Sequence, residues 1–81
     1  MKGDIFGIPA EAVSGVPAIR LMGNELTEVI NHKGLRRCTE EEICVVTKIG
    51  DVCVKGRELS IKEINSDGIR IEGKVTCICY V

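Results

Sequence analysis

The chain of 81 residues has no tryptophan, one tyrosine (Tyr80), one phenylalanine (Phe6), one histidine (His32) and two prolines. Bases and sugars find almost no ring to stack on. A net charge of −1 supplies no basic field for phosphate, so the composition argues against nucleic-acid binding. A single histidine leaves little material for nucleophile–base chemistry. No uncharged run approaches the ~20 residues that a membrane helix needs. Lys2, Asp4, Glu11 and Arg20 interrupt residues 1–23, so the apolar core of a signal peptide is missing there. The expectation is a chain that folds in the cytoplasm without direct membrane insertion.

What is present favours strands. Apolar residues make up 44% of the chain. Val and Ile dominate them, which suits pleated, half-buried surfaces. Gly23, Gly34, Gly50, Gly56, Gly68 and Gly73 punctuate short runs of alternating character. Turns are expected at Gly23-Asn24, at Asn31-His32-Lys33-Gly34, at Gly50-Asp51 and at Asn65-Ser66-Asp67-Gly68. Pro9 is placed to start a helical turn through residues 10–13 that Gly15 ends, and Pro17 forces an extended chain. The expected fold is therefore all-β: a small, Ig-like antiparallel β-sandwich of about eight short strands in two layers. Residues 1–16 would form an N-terminal segment with the helical turn and residues 17–81 the β domain.

The last segment has the clearest rhythm. From Ile69 onward, Ile69, Ile71, Val75, Cys77, Cys79 and Val81 fall on one face of an extended chain, and Arg70, Glu72, Lys74 and Thr76 on the other. Gly73 interrupts the apolar face, where it marks a bend or bulge. This reading puts the cysteines inside and adds Ile78 and Tyr80 to the outer face. The uncharged end "VTCICYV" is then apolar on both sides. Such a strand is either covered within the chain or forms an interface, with a partner or in a homo-oligomer.

Five cysteines, an odd number, sit in apolar runs. Without an export signal they read as reduced packing residues. The alternative is a metal-binding or redox-responsive domain that uses Cys53, Cys77 and Cys79, with Cys44 next door. "NHKG" has one glycine and no following helix, so it is a bend rather than a phosphate cradle, and His32 is a turn residue. Glu40-Glu41-Glu42 reads as a solvated step. These readings assign no catalytic residue, metal ligand or cofactor. The interface candidates are Ile78 and Tyr80, with Arg36 at the rim.

In order and spacing, "GVPAIRLMGN", "VINHKGL", "VCVKGRELSIKEI" and "IRIEGKV" resemble the YqfC branch of the YabP/YqfC family of sporulation proteins. The likeness spans about residues 8 to 80. It implies a β-rich protein of endospore-forming Firmicutes that belongs to the mother-cell programme and has no recognised catalytic residues. It also implies a protein partner, a membrane-bound sporulation protein of the YqfD type, and so a peripheral place at the forespore membrane. The expected function is a non-enzymatic assembly or interaction module.

Overall fold

A computed structural model describes residues 15–81 and, before them, the backbone of two short strands, β1 (Asp4–Ile5) and β2 (Ile8–Pro9), which pair antiparallel. The remaining elements are β3 (Ala18–Met22), β4 (Leu26–Ile30), β5 (His32–Cys38), β6 (Glu42–Thr47), β7 (Gly50–Ile64) and β8 (Gly68–Tyr80). They form one antiparallel sheet in the order β3-β4-β8-β7-β6-β5. The all-β expectation holds. The Ig-like two-layer sandwich is not seen among the described residues: six of the eight strands share one continuous sheet, and β1 and β2 form a second. The helical turn expected from Pro9 is not seen either. Pro9 is paired in β2, and residues 10–14 lie outside the described residues.

Two glycines are bends inside long strands: Gly73, as the alternation implies, and Gly56, which separates two short runs in the sequence. β7 runs for 15 residues through Gly56, and β8 for 13 residues through Gly73. Their hairpin turn is an Asn65 side-chain turn, in which Asn65 Oδ1 accepts hydrogen bonds from the amides of Asp67 (2.8 Å) and Gly68 (3.0 Å). Next to that turn, the first half of β8 pairs with β4; at the far end of the hairpin, the first half of β7 pairs with β6. The bend between the halves is held by two other turns. The carbonyls of Glu40 and Glu41 accept from Leu59 (2.8 Å) and Gly56 (3.0 Å), and those of Asn24 and Glu25 accept from Val75 (2.7 Å) and Gly73 (3.2 Å). The acidic step Glu40-Glu41-Glu42 thus acts through its backbone, while the Thr39 hydroxyl accepts from the Glu41 and Glu42 amides.

This bend lets residues from both ends of the sheet share a core. Val29, Ile69 and Ile71 from one half meet Ile43, Val45 and Val54 from the other, with Leu59 at the bend. Chain direction changes between halves at Asn31, whose φ of 67° is tolerated by an Asn side chain. Asn31 Nδ2 donates to the Val16 carbonyl at 2.9 Å, and the next residue, His32, starts β5. The "NHKG" bend is therefore a one-residue corner. The β6–β7 turn falls at Lys48-Ile49, with Thr47 opposite Gly50, rather than at Gly50-Asp51. The Thr47 hydroxyl decides this: it donates to the Gly50 carbonyl and accepts from the Ile49 amide.

Thr27 is fully buried, and its hydroxyl has no hydrogen-bond partner among the described residues. Leaving a buried hydroxyl unsatisfied costs free energy that valine, of similar shape, does not incur. Thr27→Val is expected to stabilise the fold by about 1 kcal/mol, read as a higher urea midpoint with an unchanged slope. A lower midpoint would show that the hydroxyl finds a partner.

Candidate interaction edge

The alternation in β8 holds from Ile69 to Val75 and then slips by one residue. Gly56 faces Val75 while Lys55 faces Cys77, which leaves Thr76 as an extra residue. A one-residue slip moves every later side chain to the opposite face. Ile78 lies opposite Val54 and packs against the core, and Tyr80 lies opposite the buried Val52. Cys77 and Cys79 are turned to the outer face, opposite Lys55 and Cys53. The expected placement of the cysteines inside and of Ile78 and Tyr80 outside is thus reversed. Tyr80 stays 50% exposed because it stands at the sheet's end.

The same slip decides where the backbone points. The Val81 amide donates to the Asp51 carbonyl at 2.9 Å. Alternation along an antiparallel ladder then aims the amides of Cys79 and Cys77 at β7 and those of Ile78 and Tyr80 away from it. Among the described residues, no strand pairs with this side of β8 beyond Val75. A groove of about 220 Å³ runs beside it, lined by Leu21, Gly23, Asn24, Val75, Thr76, Cys77 and Ile78. Leu21 is 49% exposed at its wall.

The other open edges are guarded. β5 carries two bulges, with Lys33 and Arg36 as the extra residues, and Arg37 adds a third charge. Arg36 is bound to Asp51, with Nε 2.5 Å from Oδ2. That bond carries its side chain to β7 at Asp51, whose carbonyl holds the Val81 amide next to Tyr80. β3 carries Arg20, which is paired with Glu28. Among the described residues, only the end of β8 beyond Lys74 combines outward amides with a stretch free of charged side chains.

A row of charges crosses the outer face of the other half. Arg20, Glu28, Arg70 and Glu63 oppose one another on β3, β4, β8 and β7. Arg70 Nη2 and Arg20 Nη2 each stand 2.9 Å from a Glu28 carboxylate oxygen. The Arg70 and then the Arg20 hydrogen bonds hold the Glu28 carboxyl below the ordinary glutamate range. A lowered folded value means that this contribution is present above the unfolded value and is lost as pH falls through the folded one. Glu28→Gln is expected to lower the melting temperature at neutral and alkaline pH and to converge on the wild type at low pH, which flattens the acid limb of the profile. An acid limb as steep as the wild type's would contradict that. A concavity of about 310 Å³ lies beside this row, lined by Glu28, Glu63, Asp67 and Arg70 among others. Its charges are largely paired, and its walls hold no cysteine, serine or histidine.

His32 is fully used by structure. The Gly34 amide donates to Nδ1 at 3.0 Å, so Nε2 carries the proton and donates to the Asn65 carbonyl at 2.7 Å. The histidine ties the corner at Asn31 to the β7–β8 turn. The expectation of five reduced packing cysteines does not hold for Cys44 and Cys53, and the alternative metal set of Cys53, Cys77 and Cys79 is not gathered as such. Cys44 and Cys53 are joined as a disulfide, and Cys38, Cys77 and Cys79 are free. Among the described residues, potential ligands converge at Glu42, Cys44 and Cys53, within 4.8 Å of one another. The disulfide was not visible in an odd set of cysteines spread over three runs. Only the strand register brings Cys44 and Cys53 together.

These features define a small antiparallel β-domain whose most distinctive surface is an open strand edge. Among the described residues, no helix is long and apolar enough to cross a membrane. The YabP family model matches residues 14–81, and the chain belongs to that family. It is similar to the protein named "Uncharacterized protein YqfC" of Bacillus subtilis (strain 168), with 30% identity over 74 residues, covering 91% of this chain and 80% of that relative.

Proposed function

We propose that the chain is a non-enzymatic assembly module of endospore formation. It works in the mother cell and accepts a strand from a protein partner along the free edge of β8. The observation that carries this reading is the edge itself: outward amides at Ile78 and Tyr80, no charge, and a groove beside it. Family membership supports the setting in sporulation. The partner best suited is a membrane-bound sporulation protein of the YqfD type, which would hold the domain at the forespore membrane. Tyr80 supplies the exposed ring at the end of the edge, and Ile78 fixes the strand from the core side. The His32 hydrogen bonds, the paired charges and the shallow concavities fit a scaffold better than a reaction centre.

The test is capture from sporulating cells with the domain as bait, read beside its solution mass. The wild-type domain should retain a membrane-bound sporulation protein, and Tyr80→Asp should lose it. Retention of the same protein by both would place the contact elsewhere. The Ile78→Asp variant is a poor probe, because Ile78 also packs against the core.

A further inference from the structure

Three cysteines stand in one row across the middle of the sheet. Cys44 faces Cys53, and Cys53 faces Cys79. Directly opposed residues project to the same face, here the face opposite the side chains of Val45, Val52 and Val54. The first pair is closed as a disulfide across a Cα–Cα distance of 4.1 Å. Its two residues are buried, at 6% and 4% exposure, so an external reagent has poor access to them. Cys79 is free and partly exposed, and its thiol points to the Cys53 carbonyl oxygen at 4.0 Å. The bond from the Val81 amide to Asp51 places Cys53 and Cys79 in the hydrogen-bonded class of opposed pairs. Such pairs hold their Cα atoms about 5.5 Å apart, inside the usual disulfide range.

The geometry points to Cys79 as a thiol-exchange site, through which small-molecule thiols open the buried Cys44–Cys53 disulfide. Attack on a disulfide sulfur runs along the sulfur–sulfur axis, and the row puts Cys53 between the attacking and leaving residues. Cys79 gives its proton to solvent, and its thiolate attacks Cys53 Sγ. The Cys53–Cys79 bond forms as the Cys44–Cys53 bond breaks. Cys44 leaves with the electron pair and takes a proton from solvent. This step leaves the total oxidation state unchanged. An external thiol then attacks Cys79 Sγ to form a mixed disulfide and frees Cys53. A second external thiol releases Cys79 and leaves as the external disulfide. The inference is independent of the strand-edge function.

The experiment uses the air-oxidised full chain with reduced glutathione as the probe, acid quenching, and peptide mapping of the linkages. Cys79→Ser is expected to slow opening of the Cys44–Cys53 bridge by about tenfold or more. Cys77→Ser, exposed on the same strand and face, should leave the rate unchanged. In Cys44→Ser, oxidised glutathione should produce a Cys53–Cys79 bridge. That arm stands even if Cys79→Ser folds poorly. Opening of Cys79→Ser at the wild-type rate would overturn the proposal, as would a Cys44→Ser chain that never bridges Cys53 to Cys79. So would five free thiols after air oxidation, or reduced protein holding stoichiometric zinc that shields Cys44 and Cys53 from alkylation.

Discussion

Gly56→Ala is expected to leave most of the chain unfolded at room temperature. At the bend, β8 passes so close to β7 that a Cβ on Gly56 would lie 1.8 Å from the Lys74 carbonyl oxygen and 3.0 Å from Val75 Cα. Both obstacles are backbone, so no side chain can swing away. Relief requires the two strands to part where the core passes from Val54 on one half to Ile71 on the other. Overpacking of this kind, together with lost ladder bonds, costs more than about 4 kcal/mol. A domain of this size has a thin core and little stability beyond that. Gly73→Ala should behave alike for two reasons: a Cβ there would meet the Glu58 carbonyl at 2.6 Å, and its φ is +130°. Gly23→Ala is the control. Nothing lies within 4 Å of its Cβ position, and the left-handed φ of +60° alone costs about 1–2 kcal/mol. Urea titrations followed by circular dichroism would separate the three. A Gly56→Ala midpoint no lower than that of Gly23→Ala would mean that the strands do not cross as closely as described.

Tyr80→Pro is expected to abolish partner capture while sparing the fold. The Tyr80 amide points away from β7, so proline there removes no bond from the β7–β8 ladder. It removes one outward donor, sets its ring against any incoming strand, and deletes the half-exposed phenol. Retention of the sporulation partner should fall by about tenfold or more, since each tenfold corresponds to only about 1.4 kcal/mol. Urea stability should change by about 1 kcal/mol or less. Cys79→Pro is the converse probe. It takes a donor from the β7 ladder and should destabilise the domain outright. Tyr80→Phe, which keeps amide and ring, should capture as the wild type does. Equal capture by Tyr80→Pro and wild type would remove the edge from the account.

How far the sequence could be read depends on which residues carry a one-sided signal. The alternation from Ile69 to Val75 is unambiguous, because charged Arg70, Glu72 and Lys74 can face only one way. Gly73 stood out on the apolar face and is indeed the bend. The turn at Asn65 and the corner at Asn31 were visible because Asn supplies side-chain turns and tolerates positive φ. Beyond Val75 the signal vanishes. Thr76, Cys77, Ile78, Cys79 and Tyr80 are all uncharged, so both phases fit the pattern equally well, and a bulge at Thr76 has no local mark. The faces of the cysteines, of Ile78 and of Tyr80 hang on that one residue. Gly56 misled in another way: a glycine needed for close approach of two backbones has the same sequence signature as one needed for a turn. That ambiguity makes one long strand read as two short ones.

The most direct measurement is amide hydrogen exchange along β8, resolved by NMR, on protein of single-chain mass. The bulge at Thr76 predicts an alternating record: slow exchange at Cys77 and Cys79, whose amides bond to β7, and fast exchange at Ile78 and Tyr80. Slow exchange at Ile78 and Tyr80 would mean that the edge is already occupied within the chain, and it would contradict the proposed docking edge.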